Sequence, residues 1–102
     1  MGKDIQIINL FRKIICSLLC INKDTKDPAL KLKSNEYLEE LLEEYKLYIN
    51  KGAYSLTNYD KVIGFCNECY DDKDIFDFAE DVEYGLRELI EVAINKGGMK
   101  NG

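Results

Sequence analysis

Four cysteines, nineteen carboxylates and no histidine bound the chemistry open to this 102-residue chain. The cysteines form two close pairs, Cys16 with Cys20 and Cys66 with Cys69. On helices each pair lies along one face, so a four-thiolate zinc site is geometrically conceivable. Zinc-binding Cys-x-x-Cys sequences favour tight turns, however, and no glycine follows Cys69. The expectation is four ordinary buried thiols without metal. In a cytosolic chain they need not be bridged. The missing imidazole removes any histidine-dependent nucleophilic triad and the Glu-x-x-His ligand sets of di-iron bundles. No glycine-rich phosphate loop is present.

The carboxylate pairs Glu36/Glu40 and Glu39/Glu43 have the spacing that any acidic helix face produces. Asp71, Asp72 and Asp74 hint at a calcium loop, but the glycine and the twelve-residue ligand pattern of such loops are absent. The expectation is a protein that is not an enzyme, with no catalytic residue, no cofactor and no metal.

The elements that must carry these side chains are helical. With one proline, and rich in Leu, Ile, Glu and Lys, the chain favours helix throughout. A first helix is expected over about residues 4–21, with Gln6, Asn9, Arg12, Lys13 and Ser17 as its polar arc and a wide apolar remainder that suits a central position. Residues 22–33 then read as a basic, turn-rich connection, because Pro28 disfavours helix at Asp27. A second helix is expected from Ser34, as N-cap, to Lys51, stopped by Gly52. Leu38, Leu41, Leu42, Tyr45, Tyr48 and Ile49 line one of its faces, and Glu36, Glu39, Glu40 and Glu43 the other.

A third helix is expected over 57–70, opened by a Thr57/Asp60 signal resembling a capping box. Val62, Cys66 and Cys69 share its inner side. The fourth is expected over 74–96, ended by Gly97-Gly98, with Ile75, Phe78, Ala79, Val82, Leu86, Leu89, Ile90 and Ala93 at core spacing. Residues 52–57 suit a short extended piece, and 98–102 a mobile tail. The fold class is therefore all-α, a compact four-helix bundle forming a single domain over residues 1–102.

Charge is unevenly spread along the chain. Residues 1–33 hold seven bases and three acids, a balance of +4, while residues 68–91 hold two bases and ten acids, a balance of −8. An acidic block repels nucleic acid and attracts basic surfaces; its bland counterpart is a solvated face that aids solubility. Wound at 100° per residue, the fourth helix carries Asp77, Glu80, Asp81, Glu88 and Glu91 opposite its core face, with Tyr84 in their midst. Tyrosine is a frequent interface anchor, and acids around it steer a basic partner. These six residues form the candidate partner-binding site. The alternative is a tyrosine packed under the 22–33 or the 70–74 connection.

Residues 5–21 are apolar enough to raise the question of a signal peptide or a membrane span. Arg12 and Lys13 stand in the middle, where an inserted charge costs about 2.5–3.5 kcal/mol. No small-residue cleavage site follows. The expectation is a buried helix, no membrane span and a cytoplasmic protein, with surface attachment as the minor alternative.

A four-helix chain of this size with an acidic face and no catalytic residues resembles bacterial toxin-immunity proteins. The stretch from Tyr70 through Ile94 is similar to the colicin D-type immunity family: an aromatic followed by acids (Tyr70, Asp71, Asp72), a polar connection, then Gly85-Leu86-Arg87 leading into a final amphipathic helix. The likeness covers about a quarter of the chain. It implies an acidic surface that occupies the basic, RNA-binding active site of a nuclease toxin. The partner would be a basic protein, with no direct contact to nucleic acid. Bacteriocin self-immunity bundles are similar in size and helix order. Three further readings stay open: a phage-encoded inhibitor of a host defence nuclease, a thiol- or metal-responsive regulator, and a bundle that dimerises through its first helix. The expected state is a monomer or homodimer.

Overall fold

The first helix is made by its apolar period and opened by Asp4, whose carboxylate accepts the Gln6 N–H at 2.8 Å. This helix, α1, spans Ile5–Asp24, and its inner stripe of Ile7, Leu10, Phe11, Ile14, Leu18 and Ile21 is buried. The computed structural model describes residues 4–55 and 57–95. Within them the chain is an all-α four-helix bundle, with α2 over Pro28–Lys51, α3 over Tyr59–Cys69 and α4 over Phe76–Asn95. The expected ends near Lys96 and Gly97-Gly98, and the 98–102 tail, lie outside the described residues.

The second helix begins six residues earlier than the sequence suggested. Asp27, not Ser34, is the N-cap: its side chain accepts the Ala29 N–H at 2.9 Å. Pro28 occupies the first turn, where its missing N–H is no loss and its fixed φ favours the helix. The supposed 22–33 connection shrinks to Thr25–Asp27, since α1 also runs on to Asp24. Ser34 is fully buried inside α2. Its hydroxyl donates to the Lys31 carbonyl at 2.8 Å and accepts from Asn22 Nδ2 at 2.9 Å, so a buried polar group becomes a clamp between α1 and α2. Gly52 closes the helix as expected, with φ of +73° and its N–H on the Tyr48 carbonyl.

The third helix starts after Asn58, whose amide donates to Glu40 on α2 rather than capping its own helix. The Thr57/Asp60 cap is therefore not formed. Before α4, Asp72 accepts the Asp74 N–H at 2.9 Å in a tight turn, and Ile75 is buried ahead of the first helical residue.

Each helix packs on its neighbours in a ring: α1 on α2 and α4, α3 on α4 and α2, with no close approach along either diagonal among the described residues. Adjacent helices run antiparallel. At one end the Asp4 N–H donates to Tyr48 Oη at 2.7 Å, and Tyr54 Oη donates to the Leu89 carbonyl at 2.7 Å. At the other, Lys26 meets Asp74 at 3.8 Å and Lys33 meets Glu68 at 3.2 Å. Phe11 anchors an aromatic group with Tyr45, Tyr48 and Tyr54 at centroid separations of 5.6, 6.3 and 5.3 Å. Such offset and edge-on pairs add about 0.5–1.5 kcal/mol each beyond the area they bury.

By length and composition α1 alone of the described helices is apolar enough to cross a membrane. In this fold its inner stripe is the bundle core. Its polar arc differs from the expected one: Ser17 is buried, while Ile5, Cys16 and Leu19 are exposed.

Candidate binding face on the fourth helix

The inner side of α4 is set by Ala79, Val82, Leu86, Leu89 and Ala93, all buried. Gly85 is set deep among them, in mid-helix. A Cβ there would stand 2.6 Å from Ile14 Cγ1, so the glycine is what lets α1 and α4 approach closely. The Gly85-Leu86-Arg87 run thus sits inside the final helix rather than leading into it.

Burying that side fixes the opposite arc to solvent. Tyr84 is 63% exposed. Asp77, Glu88 and Glu91 are exposed beside it, and Glu80 and Asp81 are half-buried at the edges. All six expected residues therefore share one arc of one helix. Tyr84 is covered neither by the turn at Thr25–Asp27 nor by the 70–74 connection. Among the described residues, none of the five acids is in an ion pair. Uncompensated carboxylates on one stripe repel each other and raise the local negative potential, which draws cations to the face.

One side of the arc is structured by residues that periodicity did not single out. Glu83 accepts from Tyr70 Oη at 2.5 Å with one oxygen, and from Arg87 Nε and Nη2 at 3.0 and 2.7 Å with the other. Arg87 Nη1 also reaches Tyr59 Oη at 3.4 Å. These bonds to the charged form hold the Glu83 carboxyl below its usual range, the tyrosine contributing most and the arginine next. Burial, with the Glu83 hydrogen bond second, pushes the Tyr70 hydroxyl up. Glu83 is thus a fixed anion, and it lines a small crevice together with Tyr70, Glu80 and Tyr84. The i, i+4 spacing of Glu83 and Arg87 was the available signal.

The acids of α2 divide by task. Glu36, Glu39 and Glu43 are exposed. Glu40 takes the Asn58 amide, and Glu44 takes the Ser55 N–H at 2.8 Å, so both hold the approach to α3. In the Asp71–Asp74 turn, Asp72 serves the turn and Asp74 pairs with Lys26.

The cysteines separate. Cys66 and Cys69 are fully buried, as expected, and burial pushes both thiols up to about 12. Cys20 is half-buried, and Cys16 is exposed, contrary to the expectation of four buried thiols. The helical period explains this: Cys16 falls on the arc of α1 facing away from both α2 and α4. Since α1 and α3 are diagonal, the two pairs are not brought together. Among the described residues no three His, Cys, Asp or Glu side chains gather in a way that could hold a metal ion.

Comparison with family models, curated proteins and solved structures finds no match to this chain.

Proposed function

We propose that this protein is a small acidic inhibitor of the immunity type, which binds a basic protein partner, such as a nuclease toxin, through the outer arc of α4 and so blocks it. The observation that carries the reading is an exposed tyrosine centred among five acids that have no ion pair with any described residue. Surface acids whose only duty is solubility are as useful when interspersed with bases; a single-sign stripe around a rigid aromatic suits a basic patch with a central anchor. The arrangement acts by occupancy and needs no catalytic group of its own, in keeping with a cytoplasmic non-enzyme.

The test is a titration against the purified product of the adjacent gene, with thermal melts as control. Tyr84→Ala is expected to weaken binding by ~2 kcal/mol or more, the usual cost of truncating a central aromatic anchor. Asp81→Lys is expected chiefly to slow association and to flatten its salt dependence. If both variants melt as wild type and bind with unchanged affinity, the α4 arc is a solvated surface. The exposed Glu36, Glu39 and Glu43 of α2 would then be the next face to test.

A further inference from the structure

The crevice lined by Tyr70, Glu80, Glu83 and Tyr84 has a volume of about 80 Å³. Its residues come from two places in the chain. Tyr70 stands just beyond α3, while Glu80, Glu83 and Tyr84 span little more than one turn of α4. Tyr70 is held twice: its ring packs on Phe76 at a centroid separation of 5.1 Å, and its hydroxyl donates to Glu83. Tyr84 is exposed, and its hydroxyl has no hydrogen-bond partner among the described residues. The crevice therefore joins one fixed phenol ring to one that is open to contact.

The two carboxylates differ in what they already hold. One oxygen of Glu83 takes the Tyr70 hydroxyl and the other takes Arg87, whose charge offsets its own. Glu80 is half-buried, and among the described residues it has neither a hydrogen bond nor an ion pair. Its charge is nonetheless felt at the Tyr70 hydroxyl, which is pushed up first by burial, then by the Glu83 hydrogen bond, and also by Glu80. No base lines the crevice, and the nearby Arg87 is bound to Glu83. A partly desolvated carboxylate without a counter-charge gains most from a cation that also brings donors.

We propose that this crevice receives an arginine side chain of the basic partner, its guanidinium stacked on Tyr84 and donating to the Glu80 carboxylate. The inference rests on the inhibitor reading, because it names the group that the same face would take. A guanidinium is planar and weakly hydrated, stacks on aromatic rings, and carries a fork of N–H donors that matches a carboxylate. A lysine ammonium is a compact, strongly hydrated point charge and gains less beside a phenol ring. A divalent cation such as calcium needs about six oxygen ligands or more, whereas both Glu83 oxygens already accept donors and Glu80 is left alone. An apolar side chain would strip water from Glu80 and return nothing to it.

The experiment is a heteronuclear NMR titration of the full chain with N-acetyl-arginine methylamide, with its lysine analogue and with calcium chloride. The arginine probe is expected to give saturable shifts at the Tyr70, Glu80 and Tyr84 amides, and the lysine probe to bind more weakly. Glu80→Gln should weaken the arginine probe about tenfold, the equivalent of ~1.4 kcal/mol for a charge-assisted hydrogen bond. Tyr84→Ala should weaken it about three- to fivefold, whereas Tyr84→Phe, which keeps the ring, should not. Neither side chain points at the core, and thermal melts check that each variant is folded. Four results would overturn the proposal: no shifts at these amides, equal binding of both probes, calcium displacing the arginine probe, or Glu80→Gln binding as wild type. The inhibitor reading fails separately. A partner that leaves Tyr84→Ala and Asp81→Lys unaffected removes that reading while arginine-probe binding still assigns the crevice. A partner that needs Tyr84 but binds Glu80→Gln as wild type keeps the inhibitor face and removes the arginine assignment.

Discussion

Two glycines on two helices receive the same substitution and should respond with opposite sign. Gly64 on α3 and Gly85 on α4 both sit in helix interiors, where replacing glycine by alanine gains up to about 1 kcal/mol of helix propensity. At Gly64 an added methyl meets nothing within 4 Å, so the gain is kept. At Gly85 the same methyl would stand 2.6 Å from Ile14 Cγ1 and 3.0 Å from its Cδ1. Ile14 is fully buried and cannot swing into solvent. Overpacking of this kind costs typically ~1–3 kcal/mol, so after the propensity gain Gly85→Ala is a net loss of up to about 2 kcal/mol. For a chain of this size 1 kcal/mol moves the melting temperature by roughly 4–8 °C. Gly64→Ala should therefore melt several degrees higher than wild type, and Gly85→Ala several degrees lower. The double variant with Ile14→Ala separates packing from propensity: once the isoleucine is removed, Gly85→Ala should become stabilising. If Gly85→Ala stabilises as much as Gly64→Ala in the wild-type background, the close approach of α1 and α4 at this point is wrong.

Alkylation of the native protein by iodoacetamide near neutral pH should label Cys16 first, Cys20 more slowly, and Cys66 and Cys69 only after denaturation, since the last two are buried as neutral thiols; peptide mass mapping over time reads the order, and early labelling of Cys66 would contradict it. Stability should fall with rising pH in the alkaline range. The folded state holds Cys66 and Cys69 protonated up to about 12, whereas the unfolded chain ionises them near 9, so protons are lost from the unfolded state first and unfolding is favoured between those values. Urea midpoints that stay flat across that window would count against it. At the acid end Glu83 acts with the other sign: its lowered value stabilises the fold above the ordinary carboxylate range, and that contribution is lost as pH falls through the folded value.

Helix number, order and core faces were legible because the apolar period is long and uninterrupted. Ala79, Val82, Leu86, Leu89 and Ala93 are buried where spacing put them. The outward arc of α4 followed from the same period, which is why Asp77, Tyr84, Glu88 and Glu91 emerged exposed together. What spacing along one helix does not carry is contact between helices. Glu83 read as one more acid on an acidic helix, yet Tyr70 from beyond the end of α3 makes it a fixed anion. Glu40 reads as one acid of a solvated face, yet it holds Asn58, and Glu44, which the period singles out for nothing, holds Ser55. Cys16 read as buried because thiols usually are. Its exposure follows from the position of α2 and α4 around α1, which no single-helix period specifies.

Pro28 shows how one residue type carries two opposed meanings. Proline disfavours helix at the residue before it and breaks a helix interior, but at the first helical position its ring prearranges φ. The deciding neighbour is Asp27, an acid with a side chain short enough to take the Ala29 N–H. Asp-Pro at that spacing is a start signal, and Leu30 two residues later is already buried against the core. Once α2 starts at Pro28, Ser34 falls inside the helix and needs a partner for its buried hydroxyl. Asn22 supplies it because α1 runs through to Asp24. The early start of α2 and the late end of α1 are thus one event, and Lys31 seals it by donating back to the Asn22 carbonyl at 2.8 Å. The three-residue connection between these helices is what brings Asn22 against Lys31 and Ser34; a twelve-residue loop there would have left the Ser34 hydroxyl without that donor.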